Sequence, residues 1–137
     1  MKQGFVKVAA ASCAVAVADV RENTRVILET IHKMEDEGAK VMVLPELALT
    51  GYTCSDLFWQ SQMIDAAKEG LKEIADGTKG TDALIFVGLP WEQGGKLFNV
   101  AAVLCHGELL GVVPKKYLPN YNEFYELRHF TPGKEAV

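Results

Sequence analysis

Apolar residues fall into two kinds of stretch along this chain: short unbroken runs, and longer segments in which they return every three or four positions. Phe5-Val6-Lys7-Val8-Ala9-Ala10-Ala11-Ser12 is the first run, and the small residues 13–18 after it predict close packing or a turn. Over residues 21–37, Val26, Ile27, Thr30, Ile31 and Met34 form one apolar stripe while Arg25, Glu29, Lys33 and Asp36 take the other side, which predicts an amphipathic helix. Asp19 and Asn23 flank its start, where a short polar side chain can accept from a first-turn amide, and Gly38 stops it. Val41-Met42-Val43-Leu44 reads as a strand buried on both faces, and Pro45 ends it because proline cannot donate to a ladder. After an irregular segment with aromatic anchors at 50–59, the stripe Met63, Ile64, Ala67, Leu71 and Ile74 predicts a second helix over 62–75.

Ala83-Leu84-Ile85-Phe86-Val87-Gly88-Leu89 predicts a third buried strand, closed by Pro90. Strands over 97–104 and 109–113 flank Cys105-His106-Gly107-Glu108, a hairpin signal that makes this part of the sheet antiparallel. The earlier order of strand, helix and strand is a βαβ unit with neighbouring parallel strands. The sum is five strands with helices on one side, an unfinished layer whose other apolar face needs more chain or a partner to cover it. From Pro114 onward aromatic and charged residues mix, and residues 122–129 read as a short helix or turn that presents side chains to a site. No internal repeat or low-complexity tract is present.

Composition changes this picture little. With 137 residues, 49% hydrophobic and 23% charged, the chain has the balance of one globular domain or part of one. A net charge of -4 without any Lys/Arg block argues against a nucleic-acid partner. No apolar run approaches a membrane span and the start leads into a strand, so the expectation is a cytoplasmic protein with no membrane partner. Three widely separated cysteines give neither a disulfide framework nor a zinc site, and no metal is expected; Cys13 and Cys105 read as buried small hydrophobes.

Candidate chemistry lies at strand ends. Glu46 follows Pro45 and Lys115 follows Pro114, and a carboxylate and an ammonium brought together at a sheet edge can divide proton transfer from oxyanion stabilisation. Spacing alone favours the plainer reading of two surface charges near turns. The motifs add more. Leu44-Pro45-Glu46 followed by Gly51-Tyr52 resembles the glutamate motif of the nitrilase superfamily, and Pro114-Lys115-Lys116-Tyr117-Leu118-Pro119 resembles its lysine motif. More narrowly, Pro45 to Tyr52 with Ser55-Asp56-Leu57-Phe58, together with the stretch from Lys116-Tyr117-Leu118-Pro119 through Asn120-Tyr121-Asn122-Glu123-Phe124-Tyr125-Glu126, is similar to the amino-terminal glutaminase domains of glutamine-dependent NAD⁺ synthetases.

That resemblance implies an α/β fold, part of a nitrilase-type αββα sandwich with helices packed on a mixed sheet, incomplete at its carboxy-terminal end. It makes residues 1–137 the first part of a glutaminase (carbon-nitrogen hydrolase) domain, with the synthetase domain absent. It implies Glu46 as general base and Lys115 as the lysine that holds the tetrahedral intermediate. Lys116 is the rival, disfavoured because the family leaves one residue between the lysine and the Tyr-Leu pair. Tyr52, Tyr121, Phe124 and Glu126 match positions lining the glutamine pocket, with Glu126 able to pair with the α-ammonium. The family nucleophile is a cysteine beyond the lysine motif, matched by none of Cys13, Cys54 and Cys105. The expectation is therefore a fragment, inactive alone, of an enzyme that hydrolyses glutamine and passes ammonia to a synthetase domain for conversion of deamido-NAD⁺ to NAD⁺. No cofactor is expected in this part; ATP and magnesium are implied for the synthetase domain, and a homo-oligomer for the full-length protein. An ω-amidase or carbamoylase of the same superfamily, or a non-catalytic assembly module, are the alternatives.

Overall fold

The computed structural model describes residues 3–134. Strand β1 (Val8–Ala10), helix α1 (Val20–Asp36) and strand β2 (Val41–Val43) form the βαβ unit, with Val8 beside Val41 in parallel register. Helix α2 (Ser61–Gly77) leads to β3 (Leu84–Gln93), which is parallel to β2. Antiparallel strands β4 (Lys96–Cys105) and β5 (Glu108–Pro114) complete one mixed sheet in the order β1-β2-β3-β4-β5.

Local chemistry explains the element ends. Asp19 caps α1 by accepting from the Glu22 amide at 3.0 Å. At the other end Gly38 takes φ +82°, and its amide and that of Ala39 close on the Glu35 and Met34 carbonyls, the two bonds that satisfy a helix terminus. Asn23 is not a cap. It lies buried inside α1, where its side chain bonds both backbone groups of Ala16 (2.8 Å each) and the Leu49 carbonyl (3.1 Å), tying the loop after β1 to the turn after β2. The helix therefore turns Asn23, Thr24, Ile27, Ile31 and Met34 inward and leaves Val26 and Thr30 half-buried. Gly70 of α2 has no room for a side chain, since a Cβ there would lie 2.6 Å from Thr24 Oγ1; this brings the two helices together.

The core lies between the helices and one face of the sheet. Met42, Ile85, Val87, Leu89, Val100, Ala102 and Leu104 are buried there with Ile27, Ile31, Leu71 and Ile74. On the opposite face Val8, Val43, Leu84 and Val113 are exposed. The strand ending before Pro45 is thus buried on one face only, because an unbroken apolar run reports the hydrophobicity of both faces and not what covers them.

Other boundaries also differ from the sequence reading. The first strand is three residues long instead of spanning 5–12, and Phe5 is exposed. Pro90 does not close β3, which continues to Gln93. The last β2 partner on β3 is Phe86, and the carbonyl of Asn99 opposite Pro90 is taken by the Lys115 amide, so the missing N–H of Pro90 removes no ladder bond. Gly94 and Gly95, both at positive φ, make the two-residue turn into β4, and His106 and Gly107 do the same between β4 and β5. Residues 122–129 contribute to a small ribbon, β6 (Asn120–Tyr121) with β7 (Phe124–Tyr125), followed by the 3₁₀ turn Glu126–Arg128. Cys13 and Cys105 are only half-buried, and Cys54 is the buried cysteine. No helix among the described residues is long and apolar enough to cross a membrane.

Candidate active site

Glu46 is carried by a tight turn held against β3. After β2 the Leu44 amide bonds the Phe86 carbonyl (2.9 Å) and the Leu49 amide bonds the Gly88 carbonyl (3.2 Å), which lays the turn along the strand. Gly88 permits that approach, since a Cβ there would stand 2.5 Å from the Leu47 amide nitrogen and collide with the Pro45 carbonyl. Leu47 adopts φ +51°, a costly conformation for a branched side chain, and its carbonyl accepts from the Gly51 amide at 2.7 Å. Burial of Leu47 among Phe58, Ile64 and Phe130 holds it there, so packing fixes the direction of the adjacent carboxylate.

Lys115 emerges from the end of β5. Its amide donates to the Asn99 carbonyl (2.7 Å) and its carbonyl accepts from Gly133 (2.9 Å). Glu126 opens the last 3₁₀ turn, with its amide on the Pro119 carbonyl (3.2 Å) and its carbonyl bonded by the Phe130 amide (2.8 Å). Phe130 packs edge-on against Phe58 at 4.9 Å, anchoring this turn to the same cluster that holds Leu47.

These three elements converge. Lys115 Nζ donates to Glu46 Oε1 at 2.7 Å and to Glu126 Oε1 at 2.9 Å. The Tyr52 hydroxyl donates to the same Glu126 oxygen at 2.7 Å, and Asn99 Nδ2 donates to Glu46 Oε1. Glu126 is 5% exposed, and its buried Oε2 has no partner among the described residues. A carboxylate in that setting is costly unless donors compensate it, which the Lys115 ammonium and the Tyr52 hydroxyl do through the other oxygen. Burial alone would lower the Lys115 pKa, but the hydrogen bonds and charges of Glu46 and Glu126 outweigh it and hold the ammonium above its ordinary value. Burial and then the bond to Glu126 push the Tyr52 phenol up, so it stays a neutral donor. The arrangement is a fixed cation between two acids, beside a hollow of about 550 Å³ on the open sheet face lined by Val43, Pro45, Glu46, Phe86, Asn99 and Lys115.

Of the residues read from the sequence, Glu46, Lys115, Tyr52 and Glu126 form one bonded cluster. Phe124 stands edge-on to Tyr52 (6.2 Å) and to Tyr121 (5.9 Å), and Tyr121 is exposed at the end of this aromatic row. Lys116 turns elsewhere, its ammonium 5.5 Å from the Tyr117 ring centre. The Cys54 thiol donates to the Thr50 carbonyl (3.0 Å) and burial pushes its pKa up, the setting of a structural thiol. Two features escaped the sequence reading: Asn99, whose signal was a lone amide in an apolar strand, and the Asp56, Arg128 and His129 group beside the cluster, for which exposed charges 72 residues apart gave none.

The family model described as carbon-nitrogen hydrolase matches residues 7–137. A glutamine-dependent NAD(+) synthetase of Mycobacterium bovis is 36% identical over 132 residues, 96% of this chain and 19% of that protein. The solved structure of a glutamine-dependent NAD(+) synthetase from Cytophaga hutchinsonii superposes with a TM-score of 0.88 at 31% identity, over 93% of this chain and 22% of that one. An amidase from Nesterenkonia sp. shares the fold with a TM-score of 0.80 at 24% identity, covering 98% of this chain and 51% of its own. The chain thus spans about a fifth of the length of the curated relatives it matches.

Proposed function

Because this chain belongs to the carbon-nitrogen hydrolase family, we propose that its Glu46, Lys115 and Glu126 cluster acts on the carboxamide of glutamine, supplying ammonia to a synthetase activity in the full-length protein. The observation that carries this reading is the Lys115 ammonium held between Glu46 (2.7 Å) and Glu126 (2.9 Å). In it, Glu46 takes the proton of a thiol as that sulfur attacks the amide carbon, and Lys115 stabilises the oxyanion. The C–N bond then breaks, the proton passes from Glu46 to the departing nitrogen as ammonia leaves, and water later hydrolyses the γ-glutamyl thioester. Glu126 and Tyr52 fix the lysine, and the α-ammonium of glutamine is the cation assigned to Glu126.

The nucleophile in this reading is a cysteine outside these residues, since the Cys54 thiol is bonded to Thr50 and none of the three cysteines hydrogen-bonds Glu46 or Lys115 among the described residues. ATP and magnesium belong to the synthetase activity, and no step asked of these residues passes through them. The reading places the protein in the cytoplasm as a homo-oligomer. Two measurements test it. The 137-residue chain incubated with glutamine forms no thioester by mass spectrometry; an acyl adduct on Cys13, Cys54 or Cys105 would reverse the assignment. In the full-length protein Glu126→Gln raises the KM for glutamine on the order of tenfold, and an unchanged KM favours an amidase of other specificity.

A further inference from the structure

Asn99 has no part in the scheme above, yet its side chain bonds the Glu46 carboxylate and its backbone carbonyl bonds the backbone amide of Lys115. It sits in β4 between Phe98 and Val100 and is 3% exposed. An amide in so apolar a strand is costly to bury unless it is bonded, and it lies on the sheet face that carries the hollow beside Glu46. Its Nδ2 donates to Glu46 Oε1, the oxygen that also receives Lys115 Nζ, while its backbone carbonyl accepts from the Lys115 amide at 2.7 Å.

Two donors on one oxygen have a geometric consequence. A carboxylate facing a lone lysine can rotate until the ammonium is shared by both oxygens. With Asn99 and Lys115 both on Oε1, that rotation breaks a bond, and Oε2 accepts no hydrogen bond among the described residues. We propose that Asn99 is a positioning residue for the base: it locks the Glu46 carboxylate so that Oε2 alone is presented to the nucleophile's proton. The proposal rests on the reading of Glu46 as general base. The charged and titratable groups around that carboxylate are Lys115 from the end of β5, Glu126 from the 3₁₀ turn through the shared ammonium, and the neutral Tyr52. Asn99 is an uncharged donor placed directly on the Glu46 carboxylate, so its replacement changes how that carboxylate is held without removing the cation.

The test is the pH profile of glutamine hydrolysis by the protein at its full natural length, with Asn99→Asp, Asn99→Ala and Asn99→Ser. Loss of the donor in Asn99→Ala lowers kcat about tenfold or more with KM within about twofold, and moves the acidic limb of kcat/KM to higher pH. Asn99→Asp sets a second carboxylate against the first and moves that limb further, by about one pH unit or more. Asn99→Ser keeps a donor and retains more activity than Asn99→Ala at matched thermal midpoints. Should Asn99→Asp fail to fold, the order of Ser over Ala and the limb of Asn99→Ala decide the matter. An acidic limb unmoved in folded variants, or an effect on KM alone, overturns the proposal and leaves Asn99 a packing residue. Glu46→Gln separates the two readings: full activity in that variant removes the base itself, whereas its inactivity alongside unmoved Asn99 limbs removes only the positioning role.

Discussion

Ile85, Val87 and Leu89 share strand β3 with Phe86 and Gly88, yet the first three are closed under α1 and α2 while the other two line the hollow beside Glu46. Among the described residues Glu126 is the one buried charged residue, and it belongs to the site; the rim of the open face holds Glu46, Lys115 and Asn99. The difference follows from solvation. Apolar area removed from water stabilises at roughly 25 cal/mol per Å², whereas a carboxylate under the helices would lose its hydration without a partner. The fold is therefore secured on one side of the sheet and the charged cluster is displayed at the edge of the other. Gly88 links the two, because its missing side chain lets the Glu46 turn lie against a strand whose other face is locked.

If the faces differ as described, equal truncations must have unequal costs. Val87→Ala, fully buried beneath the helices, is expected to lose about 2–3 kcal/mol in urea unfolding, while Val43→Ala on the open face loses less than about 1 kcal/mol. Equal losses would mean that the open face is covered in solution. Gly88→Ala is the exception that sharpens the contrast, since it lies on the open face but its new methyl meets the Pro45 carbonyl and the Leu47 amide. It should cost about 2 kcal/mol and displace Glu46, visible as a shift of the Glu46 and Leu47 amide resonances larger than that at Ile31.

Much of the covered side was legible in the sequence. The stripe of α1 and α2, the stop at Gly38 and the hairpin at Cys105 to Glu108 are local signals with local causes. Where the reading failed, the deciding fact was nonlocal. Pro90 looked like a terminator because the end of its neighbour β2 is not written near it, and Val43 looked buried because its run is apolar whatever lies above it. Asn23 looked like a cap, and only the fold shows Ala16 and Leu49 around it. At the site, Glu46 and Lys115 were legible through their motifs, but their contact and the shared oxygen with Asn99 depend on β3, β4 and β5 lying side by side.

The smallest expected effect concerns the charged clasp outside both faces. Asp56, in the 3₁₀ turn Ser55–Trp59, accepts from Arg128 Nε (2.9 Å) and Nη2 (3.1 Å) and lies 3.2 Å from His129 Nε2. It joins the segment just after Tyr52 to the segment just after Glu126. The bonds from Arg128, then His129, lower its pKa from 3.8 to about 2. A depressed carboxylate contributes stability that is present above its unfolded pKa and lost as pH falls through its folded one, so the clasp acts fully above about pH 4 and fades toward pH 2. Asp56 is exposed to water, which screens the pair and keeps its effect small. Thermal melts should therefore place Asp56→Asn about 1–2 °C below the unaltered chain at pH 7, with the gap narrowing as pH drops below 4. No gap at pH 7, or a gap that acid leaves unchanged, would show that Asp56 is unpaired in solution, and that the turns bearing Tyr52 and Glu126 are joined by the Tyr52 to Glu126 bond and the Phe58 and Phe130 contact without the clasp.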